Sequence, residues 1–325
     1  MTTTAPSPLA GPGPRMVLGI MQFGTTIPEA TGCALLDRFV EAGGTWLDTA
    51  NCYSFWSSPT GHGGQSETAL GHWLAGHPDR RQAVRIATKV GCELVAPEVN
   101  PAGNEGLGGA VIRQAFADSL TRMCTDYVDL YWAHRDDRAV PQLETIEAFS
   151  SLVTSGQVGR WGYSNAPLWR YERARGLAEA GGLVAPTAMQ LKHTYLQPRP
   201  LVRDHIHDHR FGWVTDEVMD YLQANPAHEA WAYTPQLAGA YNNPNKAIPE
   251  AFEHPGTTRR LAVLAKVAGA LGWRPGQVVL AWMVGSDPAV VPIVGVSSLP
   301  QLEEALVATS QPLPAEFQAA LDAPW

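Results

Sequence analysis

The segment CALLDRFVEAGGTWLD, residues 33–48, passes from a helix to a strand with only a pair of glycines between them. Cys33, Leu36, Phe39 and Val40 recur at helical spacing, and Gly43-Gly44 ends the helix because glycine accepts the left-handed conformation of a helix terminus. A strand over residues 45–48 follows at once. The same alternation repeats outward from this segment. A helix carrying Ile112, Phe116, Leu120 and Met123 leads into a strand over 127–132, and a helix over 142–155 stops at Gly156 before a strand around 161–163. Strands are expected near 188–190, 229–233 and 290–294, and a late helix shows the stripe Leu261, Leu264, Ala268, Leu271. With strands near 17–19 and 86–88, eight emerge, and strands alternating with helices make a parallel sheet.

Eight such units in about 310 residues, roughly 40 each, fit a single-domain (β/α)8 TIM barrel of the α/β class with long loops at the carboxyl face of its strands. A doubly wound sheet fits less well, because no GxGxxG follows the first strand. The glycine-rich residues 103–109 have no strand immediately before them and read as a flexible loop. Residues 1–15, rich in Thr, Pro and Gly, read as a loose tail ahead of a barrel over 16–325.

Composition narrows the function. The 325 residues are 45% hydrophobic and 17% charged, as in a soluble globular protein. The net charge of −8 comes without a dense Lys/Arg run, which argues against a nucleic-acid surface. The longest apolar run, residues 278–284, is far short of the roughly 20 residues of a membrane span. Neither a signal-peptide pattern at the start nor a CxxC pair occurs, so the four cysteines are expected as free thiols in a cytoplasmic protein. Oligomeric state is not set by the sequence.

In a parallel barrel the carboxyl ends of the strands face one mouth. Asp48 ends the second strand, Lys89 the third and His134 the fourth, at intervals of 41 and 45 residues, and Tyr53 follows Asp48 on its loop. Each has an ordinary structural alternative, as a cap, a solvated cation or packing. Together they make a chemical set. A phenol loses its proton near pH 10, at about 10 on the pKa scale, and a buried ammonium beside it is expected to lower that value. Asp48 would keep Lys89 charged, and His134 would donate to a carbonyl oxygen beside the phenol. No residue there is a hydride source, so a cofactor must supply one.

These residues carry a resemblance: the chain is similar, from Gly19 to about Leu306, to the aldo-keto reductase superfamily. The resemblance implies NADPH-dependent reduction of an aldehyde or ketone, with Tyr53 as general acid/base, Lys89 and Asp48 as its tuning pair and His134 orienting the substrate. Ser164 and Asn165 of the Gly162-Tyr163-Ser164-Asn165 motif, with Gln190, would hold the nicotinamide carboxamide, and Tyr233 would stack on the ring. Residues 234–239 resemble the loop over the pyrophosphate. Gly295, Ser297 and Ser298 lead into a helix whose Ser298-Leu299-Pro300-Gln301 start reads as a capping box, a site for a phosphate. Gln301 stands where many members carry an Arg against the 2′-phosphate, and Ala305 replaces a common Asn, so NADH stays open beside NADPH. Glu304 would contact adenine.

The mouth is read as aromatic, from Phe23, Tyr53, Phe55, Trp56, Trp132 and Tyr195, which suits an apolar, aromatic or sugar-like carbonyl substrate. Residues 54–65 and 242–256 read as specificity loops. His205, His207 and His209 would share one face of an extended segment, but no metal belongs to the main reading. Two rivals remain: a metal-dependent barrel isomerase or hydrolase, and an NADPH-binding regulatory subunit of a larger complex.

Overall fold

The computed structural model describes residues 7–76, 78–96, 103–200, 202 and 211–323. Its strands and helices alternate in chain order. They run β1 Val17–Gly19, α1 Glu29–Glu41, β2 Trp46–Asp48, α2 Gln65–Gly76, β3 Arg85–Val90, α3 Gly109–Met123, β4 Val128–Ala133 and α4 Gln142–Thr154. They continue with β5 Val158–Ser164, α5 Leu168–Ala180, β6 Ala188–Lys192, α6 Asp216–Ala224, β7 Glu229–Tyr233, α7 Pro255–Leu271, α8 Pro275–Val284, β8 Val291–Gly295, α9 Leu299–Ser310 and α10 Ala315–Asp322. The strands close in sequence order into a parallel barrel, β8 pairing with β1. The fold is the (β/α)8 barrel that the alternation predicts.

The glycine pair after α1 acts in two ways. Gly43 takes φ +82° and turns the chain out of the helix. Gly44 is needed for space, because a Cβ there would fall 2.3 Å from the Phe39 ring.

Strand periodicity decides what fills the barrel. Every second residue points inward, so Val17, Trp46, Ala87, Leu130, Trp132, Ala188, Trp231, Val291 and Ile293 form one internal cluster. Trp231 packs edge-on against Trp46 at 5.1 Å and Trp132 at 5.3 Å. Gly162 makes room for this layer, since a Cβ there would lie 2.6 Å from the Trp132 ring. Burying an indole contributes at most about 6 kcal/mol at 25 cal/mol per Å². The same parity then carries Asp48, Lys89, Ser164 and Gln190 to the carboxyl end, on top of the indole layer.

Residues 7–15 make contacts with the barrel. Pro8 and Pro14 are buried, Leu9 packs against the internal cluster, and Arg15 N–H donates to Thr309 O at 3.1 Å. Leu9 is half-buried in this contact, of which a Thr/Pro/Gly composition gave no sign. Residues 103–109 also depart from a flexible loop in their setting. Asn104 bridges to Leu94, and the Glu105 carboxylate accepts from Gly91 N–H at 2.7 Å and Asn51 Nδ2 at 2.8 Å. No helix among the described residues is long and apolar enough to cross a membrane.

Candidate active site

Asp48, Lys89 and Tyr53 meet at the carboxyl end of the barrel. Lys89 is 0% exposed, and its ammonium donates three hydrogen bonds: to Asp48 Oδ2 at 2.5 Å, to Thr49 O at 2.7 Å and to Tyr53 Oη at 2.8 Å. An ammonium has three protons, so all are committed. Asp48, 2% exposed, accepts at its other oxygen from Gln190 Nε2 at 3.0 Å. Because the Tyr53 oxygen accepts from Lys89, its own O–H is directed elsewhere, and the side chain is only half-buried.

The electrostatics correct one expectation. Burial pushes the Tyr53 phenol well above its ordinary value, and the charge of Asp48 acts the same way. The expected lowering by Lys89 does not prevail, because the ammonium is already matched by the Asp48 carboxylate. Asp48 is raised too, by burial first, with Lys89, Gln190 and Trp132 pulling it back. The phenol therefore keeps its proton at neutral pH.

His134 follows β4. Its N–H donates to Val90 O at 2.8 Å and its carbonyl accepts from Asn165 Nδ2 at 3.0 Å. The imidazole meets the Tyr53 ring edge-on at 5.6 Å, with Nδ1 3.6 Å from Cys52 Sγ. All four residues singled out from spacing thus share one mouth.

Further round the rim lie the other candidates. Asn165, at φ +56°, also donates to Ser164 Oγ at 3.0 Å and accepts from Tyr233 Oη at 2.8 Å. Its N–H donates to Gln190 O at 3.1 Å, so Ser164, Asn165, Gln190 and Tyr233 form one linked set joined to Asp48. Gly212 lies against it, a Cβ there falling 3.2 Å from Asn165 Cα. Beyond, Gly295 ends β8 with nothing closer than 3.9 Å to where a Cβ would be, which leaves the surface above it open. The capping box does not form as read: Ser298 makes no side-chain cap bond, and Gln301 Oε1 accepts instead from Ser297 N–H at 2.8 Å and Oγ at 3.1 Å. The glutamine side chain reaches one residue further back than the motif requires. Glu304 accepts from Arg274 Nη1 at 3.2 Å, while Arg274 Nη2 donates to Asn242 O at 3.1 Å. These groups suit a dinucleotide: amides and a hydroxyl match a carboxamide, and an open glycine before a helix N-terminus matches a phosphate.

The aromatic mouth is smaller than read. Phe23, Trp132 and Tyr195 are buried, Trp132 inside the barrel because its parity points inward and Tyr195 against Trp282. Phe55 and Trp56 remain at the rim, where they pack together. Sequence reasoning missed Trp169 and Phe211, both exposed, with the Arg138 guanidinium 5.9 Å from each ring. Trp169 opens α5 just after Asn165, and its place after a strand end was the available signal. It also missed Arg274 and the contact of Cys52, which had been read only as a free thiol. His205, His207 and His209 lie outside the described residues, and no group of three or more metal-ligating side chains occurs among the described ones.

The aldo/keto reductase family model matches residues 15–325. The uncharacterized oxidoreductase YrpG of Bacillus subtilis is 29% identical over 315 residues, covering 93% of this chain and 89% of its own. Norsolorinic acid reductase stcV of Emericella nidulans is 30% identical over 317 residues, 91% of this chain and 74% of its own. A protein described as a voltage-gated potassium channel subunit beta, from Schizosaccharomyces pombe, is 29% identical over 280 residues, 79% and 73% of the two chains. A closed eight-stranded barrel, an ammonium shared between a carboxylate and a phenol at its mouth, and a match along nearly the whole sequence agree that this chain belongs to the aldo/keto reductase family.

Proposed function

We propose that the protein reduces an aldehyde or ketone to the alcohol, using NADPH, with Tyr53 as general acid. The single observation that carries this is the Lys89 ammonium, fully committed, with its third hydrogen bond on the Tyr53 oxygen. When bound, NADPH supplies the hydride. As the carbonyl oxygen becomes an alkoxide, a far stronger base than a phenolate, it takes the Tyr53 proton, and the new phenolate faces Lys89. His134 donates to the same oxygen. A phenol held protonated by burial is ready for this direction.

Ser164, Asn165 and Gln190 would hold the carboxamide and Tyr233 would stack on the ring. Gly295, Ser297, Ser298 and Gln301 would take phosphate, and Glu304 the adenine. Arg274, held between Asn242 and Glu304, brings a cation to the helix that carries Gln301 where an Arg is common. This supports NADPH over NADH. Phe55 and Trp56 at the rim, and the name of a relative, the aryl-alcohol dehydrogenase of Pestalotiopsis microspora, support an aromatic carbonyl substrate. The relative named as a channel subunit keeps a regulatory role in view, but the complete proton relay favours catalysis. An ammonium at the centre of the site opposes a divalent cation there, against a metal-dependent reaction.

Purified protein should oxidise NADPH with aryl aldehydes, keto-steroids or keto-sugars, faster than NADH. Tyr53→Phe should abolish this while cofactor fluorescence quenching persists. Absence of nicotinamide binding by the wild-type protein would end the proposal.

A further inference from the structure

The backbone of His134 is fixed from both sides, through Val90 O and Asn165 Nδ2. Two properties of its ring bear on what it can donate, rotation and tautomer. Tyr53 restrains the rotation by its edge-on contact. For the second, the group that faces Nδ1 is the Cys52 thiol, 3.6 Å away.

Cys52 is itself held in place. It is 4% exposed, and a Cβ at Gly63 would fall 2.3 Å from its carbonyl carbon, so only glycine lets the following loop close over it. Tyr53, the next residue, is tied back by its N–H to Ala50 O at 3.2 Å. One tight turn thus presents both the phenol and the thiol.

From this geometry we propose that Cys52 is a positioning residue, donating its S–H to His134 Nδ1 and so holding the imidazole as the Nε2–H tautomer. That form is the one able to donate from Nε2 to a substrate carbonyl. The purpose rests on the carbonyl-reduction reading; the contact does not. A neutral imidazole has one N–H and one lone pair, so a donor at one nitrogen places the proton on the other. Burial pushes the Cys52 thiol well above its ordinary value, and nearby Cys92, Glu93 and Glu105 reinforce this against the opposing charge of Lys89. The thiol keeps its proton, and sulfur is a weak acceptor. A thiolate would draw the proton to Nδ1 and turn a lone pair toward the carbonyl. Cys52 acts through His134 and needs no contact with substrate.

The test is a long-range 1H–15N correlation spectrum of wild-type protein labelled at histidine. His134 is expected with a pyridine-type Nδ1 and a pyrrole-type Nε2. Cys52→Ala should mix the tautomers and lower kcat/KM for an aryl aldehyde about tenfold, the scale of one lost hydrogen bond, with NADPH quenching unchanged. Cys52→Ser, which restores a donor, should recover the tautomer and part of the activity. An Nδ1–H tautomer in the wild type would overturn the proposal. So would a folded Cys52→Ala variant with the wild-type spectrum and kcat/KM. If Cys52→Ala does not fold, the wild-type and Cys52→Ser spectra decide. If the wild type reduces no carbonyl, the functional reading falls, and the spectrum still judges the Cys52 contact.

Discussion

Two of the barrel's buried ion pairs lie at opposite ends of it, and they differ in what surrounds them. At the amino end Arg160 on β5 pairs with Glu229 on β7; the two are 8% and 9% exposed. Glu229 also accepts from Trp231 Nε1 at 2.9 Å, and the Arg160 guanidinium lies 5.5 Å from the Trp46 ring. At the carboxyl end Lys89 pairs with Asp48, buried still more deeply. Depth of burial does not separate a structural pair from the one proposed to serve proton transfer. The difference is the third partner. Arg160 and Glu229 are sealed against indoles, whereas Lys89 passes a hydrogen bond to a phenol that reaches the mouth.

Replacing one member of each pair should break this comparison most sharply. Lys89→Met should lower kcat/KM about 1,000-fold, because the phenolate left by proton transfer loses its ammonium partner. Steady-state kinetics with cofactor quenching checks this, and retention of a tenth of the activity would erase the distinction. The opposite profile is expected at the other end. Arg160→Met should destabilise the fold by about 3–5 kcal/mol in urea unfolding, since Glu229 is left buried without its cation. Among folded molecules kcat/KM should stay within about twofold, as expected for the amino face of a barrel. Activity loss exceeding the stability loss would place Arg160 in the reactive system.

A smaller effect comes from a buried group with no counter-charge. Burial, and then the charge of Arg260, push the His193 imidazole down to about 4. The unfolded chain takes up this proton near the ordinary value of about 6.5, before the folded chain does, so stability rises with pH between about 4 and 6.5 and is lost as pH falls through that window. The full span is about 3 kcal/mol. His193→Phe should flatten that limb in unfolding curves collected across it. An unchanged limb would assign the acid sensitivity to another group.

The eight strands were legible because hydrophobic alternation and the punctuation by glycine are local properties of the chain. Asp48, Lys89 and His134 were legible for the same reason, each sitting just past a strand with about one repeat between them. Trp132 shows where this reading stops. Its side chain lies two residues before His134 on the same face, but inside the barrel, and only the closed register with Gly162 and Trp231 tells interior from mouth. The Gln301 bond to Ser297 in place of Ser298 is a shift of one residue that depends on how β8 delivers the chain to α9.

The order of the strands, the residue types gathered at their carboxyl ends and the family followed from the sequence alone, because periodicity and spacing survive without coordinates. The upward shift of the Tyr53 phenol, the pairing of Cys52 with His134, and the docking of residues 7–15 were decided by the tertiary structure. Each depends on how many groups from distant parts of the chain exclude water from one point, a quantity that no local pattern encodes.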